Sequence, residues 1–216
     1  MIESSHLIDY LKTNRQQFDE DFSIRIHRSL SWLKRSEQEE GDQDARYIFL
    51  WISFNAIYAG LGTLDENMYQ KKVFNKYFEI LIEQDKEKYI YEYIWSKFTS
   101  VIRSVLTNEF LLPSYWKHHD NDQKLWIEDY EQSKRVVNFA LSNKDSVTIL
   151  NILFDRLYLL RNQIFHGSST WNSKVNREQL DRCIALLGEI VPIFLTIMMH
   201  NPNVDWGELA VPVLNV

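Results

Sequence analysis

Between Asp145 and Phe165 the apolar side chains Ile149, Leu153, Leu157, Leu160 and Ile164 recur at spacings of 4, 4, 3 and 4. That period matches the 3.6-residue turn of an α-helix and not the two-residue alternation of a strand. The same spacing runs through Leu7, Tyr10 and Leu11, and again through Phe22, Ile26, Ser29, Leu30 and Leu33. Only six Gly and four Pro punctuate 216 residues, too few corners for a sandwich or barrel with its many tight turns. No alternating strand pattern, internal repeat or low-complexity tract interrupts the helical period. The fold class predicted is all-α, a bundle of long antiparallel helices.

Residues 1–43 read as N-terminal helices ending in the acidic run Glu37 to Asp44. Arg46 to Ala59 is apolar nearly all round, with Ile48, Trp51, Ile52, Asn55 and Ala59 on one stripe, which places it at the centre of a bundle. Gly60, Gly62 and Asp65 end that helix. Two long amphipathic stretches follow from Glu66 to about Leu106, and Phe110 to Asp122, with Pro113, reads as a loop. Gln123 to Ser142 and Asp145 to Phe165 are helical. Gly167 stands where a C′ glycine stops a helix, and residues 168–175 form a short loop. Asn176, with Gln179 three residues on, is placed to cap a last helix that runs through Pro192 to about His200. The tail 201–216 reads as irregular. No break in composition divides the chain, so one domain over 1–216 is expected, with a core bundle at 44–200 and extra helices at 61–145.

Lys and Arg number 24 against 30 Asp and Glu, a net charge of −6. Extensive non-specific tracking along duplex nucleic acid calls for a basic surface, so any nucleic-acid contact here is expected to be local. A single cysteine excludes a disulfide framework and fits a reducing compartment. The N-terminus lacks the pattern of a signal peptide. The greasiest window, Ile184 to Met199, is interrupted by Glu189 and Pro192 and falls short of the ~20 residues of a membrane crossing. The expectation is a soluble cytoplasmic protein with no membrane partner.

The six histidines, His6, His27, His118, His119, His166 and His200, show no paired metal-ligand spacing, so neither a metal nor another cofactor is expected. Phosphate-binding glycine loops and a Gly-x-Ser-x-Gly elbow are absent. Cys183 lies in an apolar run and reads as a packed thiol. Chemistry concentrates instead at Leu160-Arg161-Asn162-Gln163-Ile164-Phe165-His166-Gly167. Arg161 falls about 80° from the centre of the helix's apolar stripe, at the border of the buried side. An arginine keeps its charge, so one placed there needs an anion or many acceptors. Two partners satisfy that need: a carboxylate from another helix, or a substrate phosphate. His166 lies five residues on, about 140° around the helix, where the stop at Gly167 frees it to turn toward Arg161; alternatively a two-fold dimer brings one copy's arginine to the other's histidine.

Arg161-Asn162-Gln163-Ile164-Phe165-His166 resembles the Arg-x4–6-His motif of the HEPN superfamily (higher eukaryotes and prokaryotes nucleotide-binding domains), in which a polar residue often follows the arginine. The surroundings resemble the Apea-like bacterial group of that superfamily: Phe49 to Tyr58 is similar to its central helix. Leu160 to Gly167, Thr170-Trp171-Asn172, Val175 to Leu180, Ile197 to Pro202 and Asp205-Trp206-Gly207 are similar to the stretch that follows. The likeness covers roughly 44–60 and 150–207 and leaves 61–145 and the first forty residues unmatched.

The resemblance implies an all-α homodimer with the two motifs facing each other. Its implied activity is metal-independent endoribonuclease chemistry, of the kind found in toxin–antitoxin and antiphage systems, with RNA and a protein antitoxin as partners. His166 is then the general base or acid, as the one motif side chain that titrates near neutral pH. Arg161 stabilises the phosphorane charge, and Asn162 orients His166 or binds the ribose. The products implied are a 2′,3′-cyclic phosphate and a 5′-hydroxyl. Asn55 is a supporting candidate: an amide in an apolar stripe is either bonded to backbone in the core or lines the pocket. Trp171 either stacks on a base or packs over a helix end. The resemblance also admits a non-catalytic module that dimerises and binds RNA, a nucleotide or a protein. A purely structural bundle, with Arg161 paired to a carboxylate, is the third reading.

Overall fold

The computed structural model describes residues 2–58, 68–118, 123–174 and 177–209. Among them every regular element is helical and no strand occurs. The expected positions Gly60, Gly62, Asp65, His119 and Asn176, and the end of the tail, lie outside the described residues. The chain divides into two compact units, residues 1–87 with 187–216, and residues 88–186. One division falls at a turn where Lys88 takes a left-handed conformation (φ 60°); the other falls inside a continuous helix. Neither leaves a linker composition in the sequence.

The first unit holds α1 (Ser4–Thr13), α2 (Glu20–Glu37), α3 (Gln43–Tyr58), α4 (Met68–Gln84) and the second half of α10 (Arg177–His200). The first forty residues are thus two helices, parted by a short 3-10 turn at Arg15–Gln17. Asp19 starts α2 by accepting the Phe22 N–H at 2.7 Å, and Glu20 and Asp21 add negative charge to its first turn. Helices α2 and α3 meet at two fully buried serines. Each hydroxyl, Ser29 and Ser53, donates to the other's carbonyl at 2.9 Å. Their small side chains let the helices approach closely, and the exchange leaves no hydroxyl unpaired.

The expected stripe on α3 is rotated. Tyr47, Leu50, Trp51, Ser53, Phe54 and Ile57 are at most 1% exposed, whereas Ile48, Ile52 and Asn55 are only half-buried; Ala59 lies outside the described residues. A helix apolar all round carries no periodic instruction about which side faces inward, so its neighbours choose. They choose Phe54, whose ring lies 4.5 Å from Tyr58, 5.7 Å from Phe74, 6.2 Å from Tyr77 and 6.3 Å from Phe194. Arg25 is buried beside this cluster. It donates to the Ile57 carbonyl at 3.1 Å and to the Gly207 and Glu208 carbonyls at 2.6 Å. Its guanidinium therefore satisfies the end of α3 and pins the tail. Burial lowers the Arg25 pKa, against the opposing pull of Tyr77 and three aspartates. Residues 201–209 are irregular, as expected, and Trp206 anchors them, with its indole N–H donating to the Asn201 carbonyl at 3.0 Å.

The second unit holds α5 (Tyr89–Glu92), α6 (Thr99–Leu106), α7 (Pro113–His118), α8 (Gln123–Ser142), α9 (Ser146–Phe165) and the first half of α10. The second of the two long stretches expected before Leu106 is broken: α5 passes into a π-helical turn at Tyr93–Lys97 before α6 begins. The expected loop at 110–122 is also partly helical. A 3-10 turn at Glu109–Leu111 leads into α7, with Pro113 as its first residue. Proline suits that position because its missing N–H would have no partner there in any case. The expectations for α8 and α9 hold, and Asp145 caps α9 by accepting the Thr148 N–H at 3.0 Å.

Helix α10 continues through Pro192. By length and composition it could cross a membrane, with a mean hydropathy of 2.0 in its most apolar window; 72% of that window is buried within the protein. Cys183 on this helix is fully buried, and burial pushes its thiol up to about 12. We expect native protein at pH 8 to resist alkylation by iodoacetamide, with one equivalent taken up after denaturation; native labelling at the denatured rate would contradict this placement.

Candidate functional site

The last two turns of α9 present two faces. Leu159, Asn162, Gln163 and His166 follow one another at i, i+3, i+4 and i+7 and so share one side of the helix. With Pro113 and Trp116 of α7 and Ser168, Ser169, Thr170 and Ser173 of the following loop, they line a groove of about 630 Å³. Among the described residues no lysine, arginine, aspartate or glutamate lines it. The second face carries Arg161 and Phe165, also i, i+4. The Arg161 guanidinium carbon sits 4.0 Å from the centroid of the Phe165 ring, a cation–π contact.

Asn162 joins the two faces. Its Oδ1 accepts from Nη1 of Arg161 at 2.9 Å. Arg161 itself does not line the groove. Its Nε is shielded from solvent and has no hydrogen-bond acceptor among the described residues, nor does any described carboxylate form an ion pair with it. The carboxylate partner admitted by the sequence is thus not found among the described residues, and the guanidinium keeps unused capacity for an anion.

The end of α9 is set by Gly167, as expected. The Ser168 N–H donates to the Gln163 carbonyl at 2.9 Å and the Gly167 N–H to the Ile164 carbonyl at 3.2 Å, with Gly167 at φ +67°. This is the Schellman arrangement, in which only glycine takes the left-handed step without strain. His166 is the last residue before it, exposed and at the groove. Beyond its two chain neighbours, no described residue comes within 4 Å of where a Cβ on Gly167 would stand, so Gly167→Ala meets backbone strain alone. Thermal or urea unfolding should show a loss of about 1 kcal/mol, with Gly167→Asn costing less. A neutral Gly167→Ala would contradict the left-handed assignment.

Of the expected site residues, Arg161, Asn162 and His166 belong to the second unit and Asn55 to the first. Asn55 is half-buried, and its Oδ1 is shielded from solvent without a hydrogen-bond partner among the described residues. It is therefore not the backbone-bonded core amide that the sequence also admitted. Trp171 is 73% exposed.

Three residues escaped the sequence reading. Trp116 and Pro113 were hidden in a segment read as loop. Arg156 is the third; it lies nearer the stripe centre than Arg161, at about 60° on the other side. Arg156 is the deeply buried arginine of α9, at 6% exposure. It donates to the Leu111 carbonyl at 2.9 Å and to Ser133 Oγ at 2.6 Å, and burial lowers its pKa to about 10. Those bonds tie α9 to α8 and to the turn before α7, so Arg156 supports one wall of the groove.

A second cavity, of about 540 Å³, lies in the first unit between the start of α2 and the tail. Asp19, Glu20, Asp21 and Asp205 line it; Asp19 accepts the Phe22 N–H and Asp205 the Gly207 N–H, and Arg25 is spent on carbonyls. Among the described residues no three histidines, cysteines or carboxylates gather where they could hold a metal. The chain matches no family model, no curated protein and no solved structure.

Proposed function

We propose that the chain is a metal-independent endoribonuclease of HEPN type that acts as a homodimer. The observation that carries this reading is the state of Arg161: a half-buried guanidinium with an orphaned Nε and no carboxylate among the described residues, hydrogen-bonded to an asparagine whose own helix face holds His166. An arginine so placed suits a phosphate oxygen, and an exposed imidazole two turns from Leu159 on the groove face suits proton transfer.

In this reading His166 takes the proton from a ribose 2′-hydroxyl as its oxygen attacks phosphorus. Arg161 neutralises the charge growing on the non-bridging oxygens. The P–O5′ bond breaks, and the departing 5′-oxygen receives its proton from the second copy's His166. Products are a 2′,3′-cyclic phosphate and a 5′-hydroxyl. Asn162 acts as a positioning residue, since its amide is held by Arg161 on one side and borders the groove on the other. Phe165 and Trp171, at 45% and 73% exposure, leave apolar surface at the motif end that a second copy would cover.

The test is cleavage of single-stranded RNA by purified chain in EDTA, with the product ends identified. Cleavage leaving cyclic phosphates supports the reading; no cleavage across varied RNAs overturns it. One feature favours the runner-up, a non-catalytic dimerising and binding module: Arg161 lies outside the groove that His166 lines. A chain that binds RNA and never cuts it decides for that reading.

A further inference from the structure

We infer that the α7–α9 groove is a nucleobase pocket, in which one base of a single strand stacks on Trp116 and presents its edge to the amides of Asn162 and Gln163. The inference rests on the ribonuclease reading for its choice of a nucleic acid over other planar ligands. It adds the part of the substrate that is gripped and the side chains that grip it.

The lining selects this ligand. The described residues that line the groove include no lysine, arginine, aspartate or glutamate, so a phosphate entering it would find no countercharge from them beyond the imidazole at its rim. An aliphatic chain would strand two amides. A planar heterocycle meets both halves of the surface: its π face lies on an aromatic wall, and its polar edge meets donors and acceptors. The volume, about 630 Å³, lies within the range of small-ligand pockets.

Trp116 is 46% exposed, and its indole N–H donates to the Phe110 carbonyl at 2.8 Å. That bond and the edge-on Tyr115 ring at 5.3 Å hold the indole plane in place before any ligand arrives, which lowers the ordering cost of stacking. Opposite it, the Arg161 hydrogen bond to Asn162 Oδ1 fixes the sense of that amide, so Asn162 offers its N–H groups. The Gln163 amide makes no hydrogen bond within the described residues and can turn to donate or accept. A base inside a duplex hides its face by stacking and its edge by pairing, so the pocket takes single strands. With a base in the groove, the adjoining ribose and phosphate fall at the rim, where His166 stands and beyond which Arg161 lies.

The test uses the full chain and a short fluorescein-labelled oligothymidine DNA, which lacks the 2′-hydroxyl and so is bound without being cut. Anisotropy should show binding that weakens about tenfold or more in Trp116→Ala and is largely kept in Trp116→Phe, with circular dichroism confirming both folds. Annealing the probe to its complement should weaken binding by a similar factor. The proposal is overturned by absence of binding to the wild-type chain, by Trp116→Ala binding as tightly as wild type, by equal affinity for the duplex, or by Trp116-dependent capture of a neutral oligosaccharide in place of the oligonucleotide. If Trp116→Ala does not fold, the Trp116→Phe and duplex arms carry the decision. The two readings fail separately: Trp116-dependent DNA binding with no RNA cleavage upholds the pocket and sinks the nuclease. RNA cleavage whose KM is untouched by Trp116→Ala does the reverse.

Discussion

His166→Ala should cost RNA cleavage about 10²–10⁴-fold in kcat, the usual worth of a positioned acid–base group. Arg161→Ala should cost about 10²–10³-fold, as expected for a donor aimed at transition-state charge. Neither change should unsettle the fold. His166 is exposed, and Arg161 makes one side-chain hydrogen bond and one ring contact without an ion pair among the described residues. Circular dichroism and urea midpoints close to wild type would show that lost activity is lost chemistry. Arg161→Lys is the sharper probe. It keeps the charge but not the fork, so it should recover little of the activity if the guanidinium grips two phosphate oxygens. In a dimer whose sites each draw on both copies, mixing the two alanine variants should restore part of the activity. Cleavage by His166→Ala at the wild-type rate ends the assignment.

The largest loss of stability is expected at Phe54, far along the chain from those residues. Phe54→Ala should lower the unfolding free energy by about 3–5 kcal/mol, read as a shift of the urea midpoint at unchanged slope. The side chain is wholly buried, and rings of Trp51, Tyr58, Phe74, Tyr77, Phe78 and Phe194 surround it, with centroids 4.5–6.5 Å away. So many rigid neighbours cannot collapse into the space a phenyl group leaves, and the cavity term stays unrelieved. Phe54→Leu, which fills part of that volume, should cost clearly less. A loss below about 1 kcal/mol for the alanine variant would mean that this cluster is not the core of its unit.

Helix α9 shows how much can be read before coordinates exist. Its stripe has a single period, and Gly167 is the one residue that takes the left-handed stop without strain; both are local properties, and both hold in the structure, while Asp145, read as part of the helix, stands just before it as its cap. The same local logic failed at α3, where apolar residues on every side leave the inward face undetermined, and at α7, where Pro113 suggests an interruption but serves as a helix start. It places Arg161 at the border of the buried side and does not single out Arg156. The two arginines flank the stripe at similar angles, and what buries Arg156 is the arrival of Leu111 and Ser133 from other elements.

The site divides along the same line. That a guanidinium, an amide and an imidazole stand near a helix end follows from the order of residues 161–167, because a helix places successive side chains at known angles. That the amide and imidazole face a groove walled by Trp116, while the guanidinium turns to Phe165 and reaches that groove's rim through Asn162, depends on where α7 and the 168–173 loop pack. Periodicity is a short-range signal carried within one turn. A pocket is a coincidence of segments distant in the chain, and its shape is settled by packing.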